Sequence, residues 1–208
     1  MTPSSPLFPT AYFPSIALMA AMVKAPKIDI EIQESFPKQT HRNRTVIITA
    51  NGPMTLSVPV VRPNGTHTLT RDILISYSEK WNTIHWRAIE SAYNSSPYFL
   101  YYRDEIEKIL MTKHDTLIQL NESLLQLLLC KLKIDLTIEY TSDFVKPQNT
   151  ANDYRDKYSY KRPESCPICP TYTQVFGDRI PFNPNVSIID TLFNLGPETK
   201  EYLSKIQV

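Results

Sequence analysis

The chain has 208 residues, 42% of them hydrophobic, which is enough for one substantial core and predicts a single globular domain. Its 22 Lys and Arg residues against 21 Asp and Glu residues give a net charge of +1, which argues against non-specific nucleic-acid binding. Only four glycines are present, and no two lie close together, so neither a dinucleotide-binding fingerprint nor a P-loop is expected.

The N-terminal stretch has neither the order of an export signal nor the length of a membrane span. No basic residue precedes Lys24, and prolines interrupt the segment. The longest apolar run, 16–23, is far below the roughly 20 residues that cross a bilayer. Three cysteines, an odd number, favour reduced thiols over a disulfide framework. We therefore expect a cytoplasmic protein without a membrane span.

The first part of the chain predicts a βαβ unit. Residues 7–13 can form a short strand, and Pro14 suits the first position of a helix that runs to about Lys24. Residues 28–33 alternate isoleucine with polar side chains, the period of two that marks a second strand. Because open α/β sheets bind ligands at the carboxyl ends of their strands, we expect a crevice there.

A hairpin and three helices are expected in the middle of the chain. The β-branched residues of 45–49 and 55–61 flank Asn51-Gly52, a strong hairpin signal. A short strand at 72–77 is followed by three helices, which are predicted at 79–94, from an N-cap at Ser96 onward, and from a Thr112–Asp115 capping box to about Lys133.

The C-terminal part predicts a strand at 136–140 and then a surface excursion or mobile connector over 141–170, where polar residues, tyrosines and prolines are frequent. Ser187 is expected to cap a helix over 188–194 that Gly196 ends, and a last short helix should follow. The predicted fold is α/β: a mainly parallel central sheet flanked by helices, with an added β-hairpin, in one domain spanning 1–208.

The segment KQTHRNR, residues 38–44, concentrates hydrogen-bond donors and positive charge. If it is extended, Lys38, Arg42 and Arg44 point to one face and Gln39 and Asn43 to the other. Guanidinium groups match the geometry of phosphate and carboxylate, so one interpretation is an anion or sugar site. The alternative is a solvated edge strand whose cations pair with nearby carboxylates, and the sequence leaves both open.

Glu34 and His85 are the acid–base candidates. Glu34 follows the second predicted strand and Tyr12 ends the first, so both converge with the basic segment, although an exposed loop glutamate is the commoner role. His85 shares an apolar helix stripe with Trp81 and Ile84, which favours a buried, hydrogen-bonded histidine over a general base.

Two further motifs have simple structural explanations. Cys166-Pro-Ile-Cys169 has the spacing of metal ligands, but a closed zinc site needs four and no second pair accompanies it. Ser187 and Asp190 fit a capping-box variant. No metal site is expected, and no cofactor is identified.

Five ordered blocks of sequence resemble the WbqC-like protein family. They are YFPS, KQTHRNR, NGPMTLSVPV, WNTIHWRAIESAYNSSPYFLYY, and YTQVF with PFNPNVSIIDTLFNLGP, which together span 12–102 and 172–197. The family occurs in bacterial gene clusters for O-antigen and related surface polysaccharides, and transfer of glycine or a similar group onto a sugar has been suggested for it. The resemblance implies these site candidates: Tyr12, Lys38, Gln39, Arg42, Asn43, Arg44, His85, Gln174, Asn185 and Asp190.

The resulting hypothesis is a transferase of an acyl or aminoacyl group. Lys38, Arg42 and Arg44 would hold a nucleotide sugar or an activated acyl donor, polar side chains would bond hydroxyls, and Glu34 or His85 would move the proton. One alternative is a non-catalytic binding or assembly protein of the same pathway that docks a protein partner through the basic face and the tyrosine-rich segment 154–160. Another is a nucleotide-binding α/β enzyme.

Overall fold

A computed structural model describes residues 5–147, 152–158 and 166–208 of the chain. Its strands are β1 (Leu7–Pro9), β2 (Lys27–Glu31), β3 (Arg44–Thr49), β4 (Gly52–Ser57), β5 (Val60–Val61), β6 (Leu74–Ile75) and β7 (Thr137–Tyr140). Its helices are α1 (Ile16–Met22), α2 (Trp81–Tyr93), α3 (Phe99–Met111), α4 (Leu117–Leu132), α5 (Ile188–Leu195) and α6 (Thr199–Lys205).

The central sheet has three parallel strands in the order β1-β2-β7. Helix α1 connects β1 to β2 and is buried along its whole length, because each of its seven residues is apolar. The predicted βαβ unit and the mainly parallel, helix-flanked α/β fold are thus confirmed. Because the three strands run the same way, their carboxyl ends, at Pro9, Glu31 and Tyr140, meet at one edge of the sheet.

The predicted hairpin is formed by β3 and β4, which pair from Arg44 opposite Ser57 to Thr49 opposite Gly52. Gly52 has a φ of 101°, a conformation that L side chains rarely adopt, which explains the glycine of the Asn-Gly signal. The Thr45 hydroxyl donates to the Phe13 carbonyl at 2.9 Å. The hairpin is therefore held against the loop that follows β1.

Helices α3 and α4 begin at other residues than the sequence predicted. In each case the hydroxyl of the expected N-cap residue donates to a carbonyl of the preceding helix. The Ser96 hydroxyl donates to the Tyr93 carbonyl at 2.6 Å, so Ser96 closes α2 and does not begin α3. The Thr112 hydroxyl donates to a carbonyl in the last turn of α3. The capping box of α4 is instead formed by Thr116 and Gln119, each of which bonds the other's backbone.

Residues 152–158 pack against the outer edge of β1. The Leu7 N–H donates to the Asn152 carbonyl at 2.9 Å, and the Tyr154 N–H donates to the Leu7 carbonyl at 2.8 Å. The Tyr154 ring stacks on Phe8 with centroids 4.5 Å apart, and Tyr158 is buried. These two tyrosines of the segment 154–160 contact the body of the protein, while residues 159 and 160 lie outside the described part.

Candidate functional site

The basic segment 38–44 forms a turn that leads into β3. Gln39 has a φ of 59°, in the left-handed region, and the strand begins only at Arg44. The alternation expected for an extended segment therefore does not apply. Lys38 and Gln39 are exposed, whereas Arg42 and Asn43 are buried. The turn therefore directs the Arg42 guanidinium into the protein and leaves Lys38 in solvent.

Arg42 and Glu34 form an ion pair at the carboxyl end of the sheet. Arg42 Nε donates to Glu34 Oε1 at 2.6 Å, and Arg42 Nη1 donates to the Thr40 hydroxyl at 3.3 Å. The Arg42 side chain is 1% exposed and that of Glu34 is 12% exposed. Burial raises the pKa of the Glu34 carboxyl above its ordinary value, and the Arg42 charge opposes that rise.

The two oxygens of this carboxylate differ in their hydrogen-bond partners. Glu34 Oε2 has no hydrogen-bond donor among residues 5–147, 152–158 and 166–208, whereas Oε1 is held by Arg42. The Glu34 side chain is 12% exposed, and a carboxylate with one fixed oxygen and one oxygen without a donor can accept a proton from a bound ligand. Among the described candidates, Glu34 is therefore a carboxylate that is both oriented by a cation and partly exposed.

Neighbouring segments of backbone hold Glu34 and Arg42 in place. The Thr70 N–H donates to the Glu34 carbonyl at 2.9 Å. Asn121 of α4 donates from Nδ2 to the Arg42 carbonyl at 2.8 Å. The Asn43 side chain donates to the Val58 carbonyl at 2.9 Å, which ties the turn to the hairpin. Asn43 therefore uses its amide donor inside the protein.

A second ionic cluster, which the sequence did not suggest, lies beside this pair. Arg155 donates from Nε and Nη2 to both oxygens of Asp153, at 3.0 and 2.6 Å, and its Nη1 lies 3.4 Å from Glu31 Oε2. Glu31 is fully buried, and its carboxylate also accepts from the Gln33 N–H, the Val145 N–H and the Thr141 hydroxyl. The charges of Glu31 and Arg155 both act on Glu34.

The hydrogen bonds and ion pairs of this cluster are made within the protein, which indicates that it stabilises the site. A charged residue at the end of an apolar strand is the one sequence signal for Glu31. No local pattern distinguishes Arg155, because its partner Glu31 is 124 positions away.

Tyr12 and His85 form a buried pair behind the turn. The Tyr12 hydroxyl and His85 Nδ1 are hydrogen-bonded at 2.9 Å, and Trp81 packs edge-on against both rings. Burial lowers the pKa of His85 to about 4, and a hydrogen bond to the Ser57 backbone partly opposes that shift. His85 is thus the buried, hydrogen-bonded, neutral histidine that the helix stripe favours.

Asp190 gathers a cluster of hydroxyl and amide donors. Its Oδ1 accepts from the Tyr172 hydroxyl at 2.5 Å and from Gln174 Nε2 at 3.1 Å, and its Oδ2 accepts from the Tyr93 hydroxyl at 2.9 Å. Asp190 is fully buried, and burial raises its pKa. The predicted capping role with Ser187 is wrong, because the Ser187 hydroxyl makes no cap bond and the Asp190 carboxylate faces the tyrosines.

The remaining candidates lie apart. Arg44 Nε donates to the Ser57 hydroxyl across the hairpin at 3.1 Å. Asn185 accepts from the Ala17 N–H at 3.1 Å, in the first turn of α1. Six of the eleven candidates therefore form three hydrogen-bonded pairs, which are Arg42–Glu34, Tyr12–His85 and Gln174–Asp190. The other five lie outside these pairs. The first two pairs are joined where the Tyr12 N–H donates to the His41 carbonyl at 2.9 Å.

Cys166 and Cys169 are half-buried free thiols. In the part of the chain that the structure describes, no group of three or more His, Cys, Asp or Glu side chains is arranged to hold a metal ion. The described helices include none with the length and apolar character needed to cross a bilayer.

Comparisons with known proteins point to one family. A sequence profile of the WbqC-like protein family matches residues 10–161. A protein of Mycobacterium tuberculosis (strain ATCC 25618 / H37Rv), described as uncharacterized protein Rv1507c, is 29% identical over an alignment of 196 positions that covers 81% of this chain and 83% of that protein. No solved structure matches the chain. The matched range contains Glu34, Arg42 and His85, and it excludes Gln174 and the other C-terminal candidates. The chain belongs to the WbqC-like protein family.

Proposed function

We propose that this protein is a transferase that moves an acyl or aminoacyl group onto an amine or hydroxyl of a sugar in the biosynthesis of bacterial O-antigen or another surface polysaccharide. Membership of the WbqC-like family supports the pathway. The observation that carries the chemistry is the Glu34 carboxylate, a side chain 12% exposed whose Oε1 is held at 2.6 Å by Arg42 and whose Oε2 has no donor among the described residues.

Glu34 acts as the general base in this scheme. As the sugar oxygen or nitrogen attacks the acyl carbon, its O–H or N–H bond breaks and the proton passes to Glu34 Oε2. The bond from the acyl carbon to the donor's leaving group then breaks, and the leaving group takes that proton from Glu34. A raised pKa makes the carboxylate a better base near neutral pH than an ordinary glutamate.

Glu34 suits this role better than His85. The His85 side chain lies in the core, and its Nδ1 is hydrogen-bonded to Tyr12. A pKa of about 4 also makes the imidazole a weak base. His85 and Tyr12 therefore act as positioning residues beneath the turn that carries Arg42.

An anionic substrate, which is either the activated acyl donor or a nucleotide sugar as acceptor, binds on the solvent side of the turn. The exposed Lys38 supplies the positive charge there, while the Arg42 guanidinium, which is 1% exposed, lies beneath the turn and donates to Glu34 and Thr40. Gln39, also exposed, can bond a sugar hydroxyl. This arrangement fits a nucleotide sugar or an activated acyl donor with a phosphate group.

The test replaces Glu34 by Gln in the chromosomal gene of the source bacterium and compares its surface polysaccharide with that of the wild type and of a deletion strain. Mass spectrometry of the purified polysaccharide is expected to show the same missing acyl substituent in Glu34→Gln and in the deletion. Glu79→Gln, at an exposed glutamate before α2, is the matched control and should leave the polysaccharide unchanged.

Circular dichroism and thermal unfolding of the purified Glu34→Gln protein establish that the fold is intact. Arg42→Ala is a poorer probe, because removing a guanidinium that is 1% exposed leaves a cavity and an unpaired carboxylate. A folded Glu34→Gln protein that restores the full polysaccharide, in a strain where the deletion does not, would refute the catalytic role and favour a binding or assembly protein.

A further inference from the structure

Cys166 and Cys169 bring two thiols together at the protein surface. They are three positions apart, and both are free and half-buried. The Ile168 side chain between them is 90% exposed, so this short segment is in contact with solvent. A small reagent can therefore approach the pair from outside.

The two thiols interact directly. A hydrogen bond with Cys169 lowers the pKa of Cys166 below its ordinary value, and the same hydrogen bond together with burial raises the pKa of Cys169. The Pro167 carbonyl, whose oxygen lies 3.6 Å from Cys169 Sγ, is a second acceptor for the Cys169 S–H. Cys166 therefore has the greater thiolate character, and Cys169 is the thiol that stays protonated.

Contacts with the body of the protein hold the Cys169 end of this segment. The Cys169 side chain packs against the hydrophobic core, and the carbonyl of the next residue, Pro170, accepts from the Tyr202 hydroxyl of α6 at 2.8 Å. The charges of both cysteines act on Tyr202, and that of Cys166 also acts on Tyr158. The pair thus lies near two tyrosines whose positions are fixed by the fold.

A metal centre and thiol–disulfide exchange are the two chemistries that such a pair can serve. A closed zinc site needs four ligands, and within the described residues no third His, Cys, Asp or Glu is grouped with these two. Thiol–disulfide exchange needs only two neighbouring thiols, because one attacks a disulfide and the other displaces the mixed disulfide that results. The arrangement of the pair therefore favours exchange.

We propose that Cys166 and Cys169 form a reversible modification site for small-molecule disulfides, in which Cys166 is the attacking residue and Cys169 the resolving one. In the first step Cys166 Sγ bonds to one sulfur of the reagent and the reagent's S–S bond breaks. The half that leaves takes up the proton that Cys166 lost.

In the second step Cys169 Sγ bonds to Cys166 Sγ, and the bond between Cys166 and the reagent breaks. The second half of the reagent leaves with the proton that Cys169 lost. The two protein thiols are thus oxidised by two electrons to one disulfide, and the reagent is reduced to two thiols. The pair lies outside the range 10–161 that the family profile matches, so this chemistry does not depend on the proposed transferase activity.

The test treats the full chain with oxidised glutathione and follows the mass of the intact protein and of its peptides. The wild-type peptide that contains 166–169 is expected to lose the mass of two hydrogen atoms, and dithiothreitol should restore it. Cys169→Ser should stop at a mixed disulfide on Cys166, because serine cannot displace glutathione, and Cys166→Ser should react more slowly at Cys169. Cys130→Ser, which removes the exposed third cysteine, is the matched control and should form the same internal disulfide as the wild type.

The wild-type measurement needs no substitution, so it decides the proposal even if a variant disturbs the fold. Glutathione that stays on Cys166 of the wild type, without an internal disulfide, would mean that Cys169 does not reach that sulfur and would overturn the proposal. Faster reaction at Cys169 in Cys166→Ser than at Cys166 in Cys169→Ser would overturn the assigned roles. Stoichiometric zinc binding that protects both thiols from glutathione, and that either serine variant abolishes, would identify a metal site instead.

Discussion

Replacing Arg155 by Met tests whether the segment 152–158 is held to the sheet by one buried ionic cluster. The Arg155 side chain is 5% exposed and donates to Asp153, to the Val145 carbonyl at 2.6 Å and to Glu31. Methionine keeps much of the aliphatic volume but removes the charge and four side-chain hydrogen bonds, two to Asp153 and one each to Val145 and Glu31. Glu31, which is fully buried, then has no cationic partner in the part of the chain that the structure describes.

The expected loss of stability follows from that uncompensated charge. Breaking a buried ion pair by removing one partner costs about 3–5 kcal/mol. Glu31 keeps three donors from Gln33, Thr141 and Val145, which places the expected loss at the lower end, about 3 kcal/mol. For a chain of 208 residues that corresponds to a fall in Tm of about 6–12 °C.

Urea unfolding and hydrogen exchange measured by mass spectrometry are the assays. Arg155→Met should lower the free energy of unfolding and speed amide exchange in 152–158 and at Leu7, whose N–H and carbonyl bond that segment. The matched control is Arg179→Met, because the Arg179 side chain is 74% exposed and its ion pair within the described residues is with the exposed Asp178. If both variants unfold at the same urea concentration and exchange in 152–158 is unchanged, the cluster does not anchor the segment.

Two further predictions concern pH and a helix end. Burial lowers the pKa of His41 and of His85 to about 4, below the value of about 6.5 in the unfolded chain. Between pH 6.5 and pH 4 the unfolded state therefore binds more protons than the folded state, and the free energy of unfolding falls as the pH decreases through that range. Each histidine should lower the free energy of unfolding by about 2 kcal/mol at pH 5 relative to pH 7, as measured by urea unfolding. His85→Phe should make the free energy of unfolding less dependent on pH. The same pH dependence in the variant and the wild type would contradict the assignment to His85. Gly196→Ala should destabilise more than Gly65→Ala in thermal unfolding, since both glycines have φ near 57° but only the Gly196 Cβ would lie 2.5 Å from a Tyr98 ring carbon. Equal losses would mean that the clash relaxes and that backbone conformation alone accounts for both.

The basic segment shows why sequence patterns could identify candidate residues but could not predict their positions in the structure. Lys38, Arg42 and Arg44 were expected on one face if the segment was extended. The left-handed Gln39 turns the chain instead, and Arg42 enters the protein to pair with Glu34. The depth of a side chain depends on what packs over it, which is a property of distant residues.

The sequence by itself determined the elements that rest on short-range physics. The period of two in 28–33, the Asn51-Gly52 turn and the leucine stripe of α4 each act over a few residues, so the βαβ unit, the hairpin and the long helix were predictable. Only the tertiary structure decided that Arg155 reaches Glu31 and that Asn121 donates to the Arg42 carbonyl. These depend on burial and on partners more than 70 positions apart, for which no local pattern exists.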